Sequence, residues 1–215
     1  MKAVLFDLDG VLVDTAKYHY QAWKTIAAAL DFELTSEQNE HLKGVSRVDS
    51  LHKIVRWAGK DIDPQQFEQF LHEKNENYLE LIEEVRPKDA LPGVLSFLEA
   101  LQKNQIPIGL GSASKNARPI LDRLGITSFF DAIIDGNDVT NSKPNPEVFL
   151  KGAKALSVES TNCLVFEDSQ AGIDAARAAN MAAIAVGSSE VLKGAIHYIS
   201  DFNRHPYKEL AAFIE

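Results

Sequence analysis

The chain has 215 residues, of which 45% are hydrophobic and 25% are charged, and this composition excludes a disordered or fibrous protein. Its 31 acidic and 22 basic residues give a formal net charge of −9, which argues against nucleic acid or an anionic membrane surface as a partner. With one cysteine, Cys163, no secretion signal and no apolar run of membrane-spanning length, we expect a cytoplasmic protein. No exposed coiled-coil pattern is visible, and we expect a monomer.

Short apolar runs that end in polar residues recur along the chain. Such runs are typical of strands buried on both faces of a parallel sheet, and helical stretches separate several of them. We therefore predict an α/β fold whose core is a Rossmann-like parallel sheet. The predicted strands lie at residues 3–6, 106–110, 132–134, 163–166 and 182–186.

Residues 15–90 interrupt this alternation, because their apolar residues recur at helical spacing and no strand pattern is present. The sequence predicts where one helix begins, because Asp63 can act as the N-cap and Pro64 suits the first helical position. We expect residues 1–14 and 91–215 to form the α/β core and residues 15–90 to form an inserted, all-helical cap domain.

Polar side chains stand where the predicted strands end. Ligands of open parallel sheets bind beyond the carboxyl ends of the strands, so these side chains are the first candidates for a functional site. They are Asp7 and Asp9 after the first run, Ser112 after the second, Lys143 in a loop before a predicted helix, and Glu167 with Asp168 after the fourth.

Several carboxylates at one sheet edge repel one another unless a cation or a raised pKa relieves the repulsion, and an oxygen-only ligand set suits Mg²⁺. A metal, a carboxylate nucleophile, a lysine and a hydroxyl are what phosphoryl transfer requires. Asp7 would attack phosphorus, and Asp9 would exchange a proton with the substrate oxygen. Lys143 and Ser112 would hold the phosphoryl oxygens.

Each of these residues also has a purely structural interpretation. An Asp-x-Asp sequence is common in loops, Glu167 and Asp168 could cap the helix that follows them, and Ser112 could belong to a turn. Lys143 could be an ordinary solvated lysine. The order, spacing and placement of all the residues together favour the functional interpretation.

That combination resembles the haloacid dehalogenase superfamily. The motifs that carry the resemblance are Phe6-Asp7-Leu8-Asp9-Gly10-Val11, Ser112 after an apolar strand, Lys143-Pro144, and Phe166-Glu167-Asp168-Ser169. The resemblance implies that Asp7 forms an aspartyl phosphate and that Asp9 is the general acid and base. It also implies a helical cap after the first motif and a Mg²⁺ site formed by Asp7, Asp9, Glu167 and Asp168.

Further candidates for the same cleft lie in the cap segment and in the core next to Ser112. A histidine in the first cap helix, a Lys-Gly-Val-Ser-Arg loop and a Ser-Ala-Ser-Lys-Asn run resemble the phosphosugar mutases of the superfamily. Their alternatives are a packed histidine, a simple interhelical turn and a helix cap. The substrate-binding residues implied by the resemblance are Thr15, His19, Trp23, Gly44, Val45, Ser46, Arg47, Ala113, Ser114, Lys115 and Asn116.

The implied partner is a phosphorylated hexose, and the implied reaction interconverts β-glucose 1-phosphate and glucose 6-phosphate through β-glucose 1,6-bisphosphate. A sugar-phosphate phosphatase of the same superfamily is the alternative enzyme. A non-catalytic, phospho-accepting signalling domain would also combine acidic residues, Mg²⁺ and a lysine. The second aspartate, Asp9, and the helical insert argue against it, because such a domain needs neither a general acid nor a substrate lid.

Overall fold

The computed structural model describes residues 3–214. Its centre is one six-stranded sheet in which every neighbouring pair of strands is parallel, in the order β3-β2-β1-β4-β5-β6. Strand β1 is therefore near the middle of the sheet, between β2 and β4. The strands are β1 Ala3–Phe6, β2 Ile108–Gly111, β3 Ala132–Ile134, β4 Cys163–Glu167, β5 Ala182–Val186 and β6 His197–Ile199.

Nine α-helices accompany the sheet in the described part of the chain, together with three short 3₁₀ turns. The helices are α1 Ala16–Ala29, α2 Ser36–Glu40, α3 Arg47–Ala58, α4 Pro64–Ile82, α5 Val94–Lys103, α6 Ala117–Leu124, α7 Glu147–Ala155, α8 Gln170–Ala178 and α9 Tyr207–Ile214. Within residues 3–214, no helix combines the length and the apolar character needed to cross a membrane.

The sheet is buried on both faces. All four residues of β1 are inaccessible to solvent, and successive side chains point to opposite faces. Val4 and Phe6 join one hydrophobic cluster, whereas Ala3 and Leu5 join another. This explains why the strand is a continuous apolar run and why the chain becomes polar immediately after Phe6.

Helices α1 to α4 follow β1 directly and have a hydrophobic cluster of their own, which includes Trp23, Leu51 and Phe70. The N-terminus of α4 is as predicted: the Asp63 side chain accepts a hydrogen bond from the Gln66 amide, and Pro64 is the first helical residue. The far end of α4 behaves differently, because its residues join the large cluster under the sheet. The insert is thus anchored to the sheet through the end of α4.

The predicted strands agree closely with those observed, and three coincide at both ends. The second strand begins two residues later than predicted, at Ile108. Two short elements were not predicted: β6, a three-residue edge strand with a weak apolar pattern, and α2. Helix α2 did carry a signal, because Thr35 and Gln38 form a capping box.

Candidate active site

The parallel register brings the first predicted motif next to the fourth. Phe6 is paired with Phe166, and the Asp7 amide donates a hydrogen bond of 2.9 Å to the Phe166 carbonyl. Asp7 and Glu167 therefore lie side by side, at the carboxyl ends of two neighbouring strands. Both side chains are almost fully buried, although carboxylates are rarely buried without a partner.

Lys143 is the partner of both carboxylates. Its Nζ donates hydrogen bonds of 2.6 Å to Asp7 Oδ1 and 2.6 Å to Glu167 Oε1. The lysine is only 2% exposed, so the solvated alternative is wrong. Burial alone would lower the pKa of Lys143, but the two carboxylates raise it above its usual value and keep the ammonium charged.

Three carboxylates form a group whose oxygens could hold one cation: Asp7, Glu167 and Asp168 each offer an oxygen, and these atoms lie within 4.8 Å of one another. Burial raises the pKa of Asp7 well above its usual value, and the neighbouring carboxylates add to this effect against the opposing ammonium of Lys143. Burial, followed by the charge of Glu167, raises the pKa of Asp168 to about 7.

When all three carboxylates are ionised, they carry three negative charges, and Lys143 supplies only one positive charge. The donors of this group are all carboxylate oxygens and it contains no sulfur or nitrogen ligand, which is the donor chemistry of Mg²⁺. The residues present therefore fit a hard divalent cation, and Asp7, Glu167 and Asp168 would hold it.

Glu167 is fixed in place by the start of α8. Its Oε2 accepts hydrogen bonds of 2.8 Å from both the amide and the hydroxyl of Ser169, which is the N-cap residue of the helix. The acidic pair is therefore not the helix cap. A Cβ on Gly172 would collide with the Glu167 carboxylate, so only glycine lets the helix approach so closely.

Asp9 lies apart from the three-carboxylate group, because its carboxylate contacts the first cap helix. Oδ1 accepts a short hydrogen bond from the Thr15 hydroxyl and lies 3.6 Å from His19 Nε2. Burial alone would raise the pKa of Asp9, but His19 and the Thr15 hydrogen bond lower it below its usual value. The lowered pKa favours the ionised carboxylate of Asp9, and its roles in proton exchange and as a metal ligand stay predictions.

Lys74 was not predicted from the sequence as a residue of the site. Its Nζ lies 2.8 Å from His19 Nδ1 and sits over the rings of Trp23 and Tyr78, at 5.1 and 4.5 Å from their centroids. Burial, followed by the charge of Arg47, lowers the pKa of Lys74 to about 7. The signal was present, because Lys74 falls at helical spacing within the apolar face of α4.

A cavity of about 720 Å³ connects the cap helices with the strand ends. It is lined by both aspartates of the first motif and by Asp168, while Lys143 and Glu167 lie behind it. Ser112 also lies behind it: this side chain is buried and its Oγ accepts a hydrogen bond from the Ser114 amide. The predicted substrate-binding residues on its wall are His19, Trp23, Gly44, Val45, Ser46, Arg47, Ala113, Ser114, Lys115 and Asn116.

Thr15 is fully buried beside Asp9 and contacts it directly, rather than lining the cavity. Arg47 is half-buried, and one of its guanidinium nitrogens donates a 3.2 Å hydrogen bond to the Leu71 carbonyl. Burial lowers the pKa of Arg47 from its usual value. One hydrogen bond crosses the cavity from the core to the cap: Asn116 donates to the side chain of Asn75 in α4 at 3.1 Å.

The cap loop at residues 42–46 touches the core in two places. Lys43 Nζ lies 3.5 Å from Asp168 Oδ2, and Gly44, at φ +70°, lies so near the start of α8 that a Cβ would come within 2.6 Å of Ser169 Oγ. The beginning of α3 provides a third contact. Asp49 Oδ2 accepts hydrogen bonds of 2.6 Å from Ser46 in the cap and from Ser142 in the core.

Comparisons with known proteins identify the family of this chain. The sequence model of the haloacid dehalogenase-like hydrolase family matches residues 4–186. The chain is 43% identical over 197 residues to the β-phosphoglucomutase of Bacillus subtilis, covering 91% of this chain and 87% of that protein. It is 32% identical to the fructose-1-phosphate phosphatase of Escherichia coli, covering 85% and 95% of the two chains.

A crystal structure of β-phosphoglucomutase from Clostridium difficile superposes with a TM-score of 0.94 at 42% identity and covers 99% of this chain and 96% of that one. The chain therefore belongs to the haloacid dehalogenase-like hydrolase family. The resemblance seen in the sequence and the predicted α/β fold are both confirmed.

The raised pKa of Asp168 makes the metal response depend on pH. In metal-free protein, the raised pKa contributes stability that is present below the ordinary value of 3.8 and is lost as pH rises through about 7. Mg²⁺ binds the ionised carboxylate, so its stabilising effect should grow over the same range. We expect Mg²⁺ to raise the thermal unfolding midpoint more at about pH 8 than at about pH 5.5.

Asp168→Asn should remove most of this pH-dependent difference. Asp174→Asn, a change on the partly exposed face of α8, should retain it. Equal Mg²⁺-induced shifts at the two pH values in the unaltered protein would contradict the assignment of Asp168 as a ligand.

The contact of Ser142 with Asp49 should hold the cap loop against the core. Ser142→Ala removes this hydrogen bond but leaves the bond from Ser46 to Asp49 in place. Because one exposed hydrogen bond contributes about 1 kcal/mol, we expect hydrogen exchange at the Gly44 and Val45 amides to become about fivefold faster. Ser96→Ala, which removes an exposed hydroxyl contact in α5, should leave the exchange of these amides unchanged. Unchanged exchange in Ser142→Ala would show that the contact does not hold the loop.

Proposed function

We propose that this protein is a Mg²⁺-dependent phosphosugar mutase that interconverts β-glucose 1-phosphate and glucose 6-phosphate. The observation that carries the proposal is the cavity, which has Asp7 and Asp9 on its core side and Arg47 on its cap side. A bisphosphate has two anionic ends, and this cavity offers a site for each. The 43% identity to a β-phosphoglucomutase supports the same substrate class.

In the first half-reaction, a carboxylate oxygen of Asp7 attacks the phosphorus of a sugar bisphosphate. The bond from phosphorus to the sugar oxygen breaks, and the leaving oxygen takes a proton from Asp9. Lys143 remains charged beside Asp7 and balances negative charge at the phosphoryl group. A bound Mg²⁺ would supply further positive charge at the same oxygens.

In the second half-reaction, Asp9 is the base. It removes a proton from a hydroxyl of the monophosphate, whose oxygen attacks the phosphorus on Asp7 and releases the free Asp7 carboxylate. The phosphorylated end that does not react needs a separate anion site. Arg47 can hold it with the forked geometry of a guanidinium, and Gly44 and Val45 line the same cavity.

A mutase must prevent water from reaching the phosphorylated aspartate. The contacts of the cap with Asp9, Asp168 and Ser142 support this role, because they bring the cap down over the strand ends. A phosphatase would use the same Asp7 chemistry with water as acceptor. The similarity to a sugar-phosphate phosphatase of Escherichia coli makes phosphatase activity the alternative to be measured.

The decisive experiment follows β-glucose 1-phosphate in the presence of Mg²⁺ and a trace of β-glucose 1,6-bisphosphate by phosphorus NMR. We expect glucose 6-phosphate to form much faster than inorganic phosphate. Asp7→Asn should remain folded and lose about 10³-fold or more of the rate, because the nucleophile is gone. Asp14→Asn, at an exposed position nearby, should retain activity. Faster release of inorganic phosphate than isomerisation would assign the protein as a phosphatase.

Arg47 should matter for isomerisation far more than for simple hydrolysis. Arg47→Ala removes the site for the distant phosphate, so we expect kcat/KM for isomerisation to fall by about 100-fold, while slow hydrolysis of acetyl phosphate changes little. Arg56→Ala provides the control, because Arg56 is an exposed arginine of the same helix. Equal losses in both reactions of Arg47→Ala would mean that Arg47 does not grip the distant phosphate.

A further inference from the structure

A second group of metal-type ligands lies three strands away from β1. His197 is the first residue of the edge strand β6, His205 lies two residues before α9, and Glu209 lies in the first turn of α9. Each side chain offers one ligand atom, and these atoms lie within 4.8 Å of one another. None of the three residues lines the catalytic cavity.

The three side chains are held in position by their surroundings. His205 Nδ1 lies 2.9 Å from Glu209 Oε1. The ring of His197 stacks on Phe213 with centroids 5.0 Å apart, and its centroid lies 6.3 Å from that of His205 at an interplanar angle of 82°. Both histidines are only partly exposed.

The connection between strand and helix is fixed as well. Asp201 Oδ1 accepts hydrogen bonds from the amides of Asn203 and Arg204, at 3.0 and 2.8 Å, and the His205 amide donates to the Asp201 carbonyl at 3.3 Å. This short turn carries the chain from β6 towards α9. The turn places His205 next to His197, although the two residues are eight positions apart in the sequence.

We propose that His197, His205 and Glu209 form a binding site for a borderline divalent cation of the Zn²⁺ type. Two imidazole nitrogens and one carboxylate oxygen suit such a cation, whereas the oxygen-only group at Asp7 suits Mg²⁺. Three protein ligands leave a position for water. The bound ion would tie the edge strand to the last helix and stabilise this end of the sheet.

The contact between His205 and Glu209 alone could be an ordinary ion pair between residues four positions apart. The chain contains a matched example: His72 and Glu76 are also four residues apart, at 3.7 Å, on the exposed face of α4. That pair is not part of a three-ligand group among residues 3–214. The histidine from the neighbouring strand is what distinguishes the proposed site, and His72 provides the control.

The test uses the untagged full chain, stripped of metal and then saturated with Mg²⁺. Zn²⁺ is titrated by calorimetry, and Co²⁺ is titrated by visible absorption. We expect His205→Ala and His197→Ala to weaken Zn²⁺ binding by about 100-fold or more and to abolish the Co²⁺ bands, because each removes a ligand. His72→Ala should change the affinity by less than about twofold, because it removes no ligand of the site.

Zn²⁺ should also raise the thermal unfolding midpoint of the unaltered protein but not of His205→Ala. If His205→Ala fails to fold by circular dichroism, Glu209→Gln, which changes only the charge of an exposed ligand, takes its place. The proposal is overturned if the variants bind Zn²⁺ as the unaltered protein does. It is also overturned if the unaltered protein takes up no Zn²⁺ below about 1 mM, the weak end of metal affinities in proteins.

Discussion

The site depends on one ammonium group held between two buried carboxylates. Asp7, Lys143 and Glu167 come from three separate parts of the chain, and each is at most 4% exposed. Burial of any one of these charges alone would be costly, since breaking a buried ion pair typically destabilises a protein by about 3–5 kcal/mol. The strand ends of β1 and β4 and the loop before α7 must therefore fold together. The pairing of β1 with β4 and the chemistry of the site depend on the same interaction.

The cap is coupled to this centre through charged and polar contacts. Thr15 and His19 reach Asp9, Lys43 reaches Asp168, and Asp49 reaches Ser142 beside Lys143. Each contact joins a cap residue to the acidic site or to its immediate neighbour. A movement of the cap away from the core would break several of them together. It would also admit water and remove the groups that set the pKa of Asp9, so closure and proton exchange change in step.

The sequence predicted the sheet and the strand-end residues because both depend on local pattern: an apolar run ends, and a polar residue follows. Lys143 could be placed near the site by its motif, but its burial between two carboxylates depends on residues 24 and 136 positions away. Lys74 lies within the apolar face of α4, and a charged residue in an apolar face is a local signal of a buried, functional side chain. The pairing of His197 with His205 had no such signal, because the apolar pattern of β6 is too weak to predict a strand.

The two aspartates of the first motif occupy opposite electrostatic environments although they are two residues apart. Burial, and after it the neighbouring carboxylates, raise the pKa of Asp7 against the charge of Lys143. His19 and the Thr15 hydrogen bond lower the pKa of Asp9 despite its burial. In the proposed reaction, an ionised Asp9 is ready for the second half-reaction, in which it is the base towards a sugar hydroxyl. To act as an acid it must regain a proton. Lys74, with a pKa of about 7, contacts His19, which in turn contacts Asp9, so proton-exchanging groups lie in a continuous line behind the general acid and base.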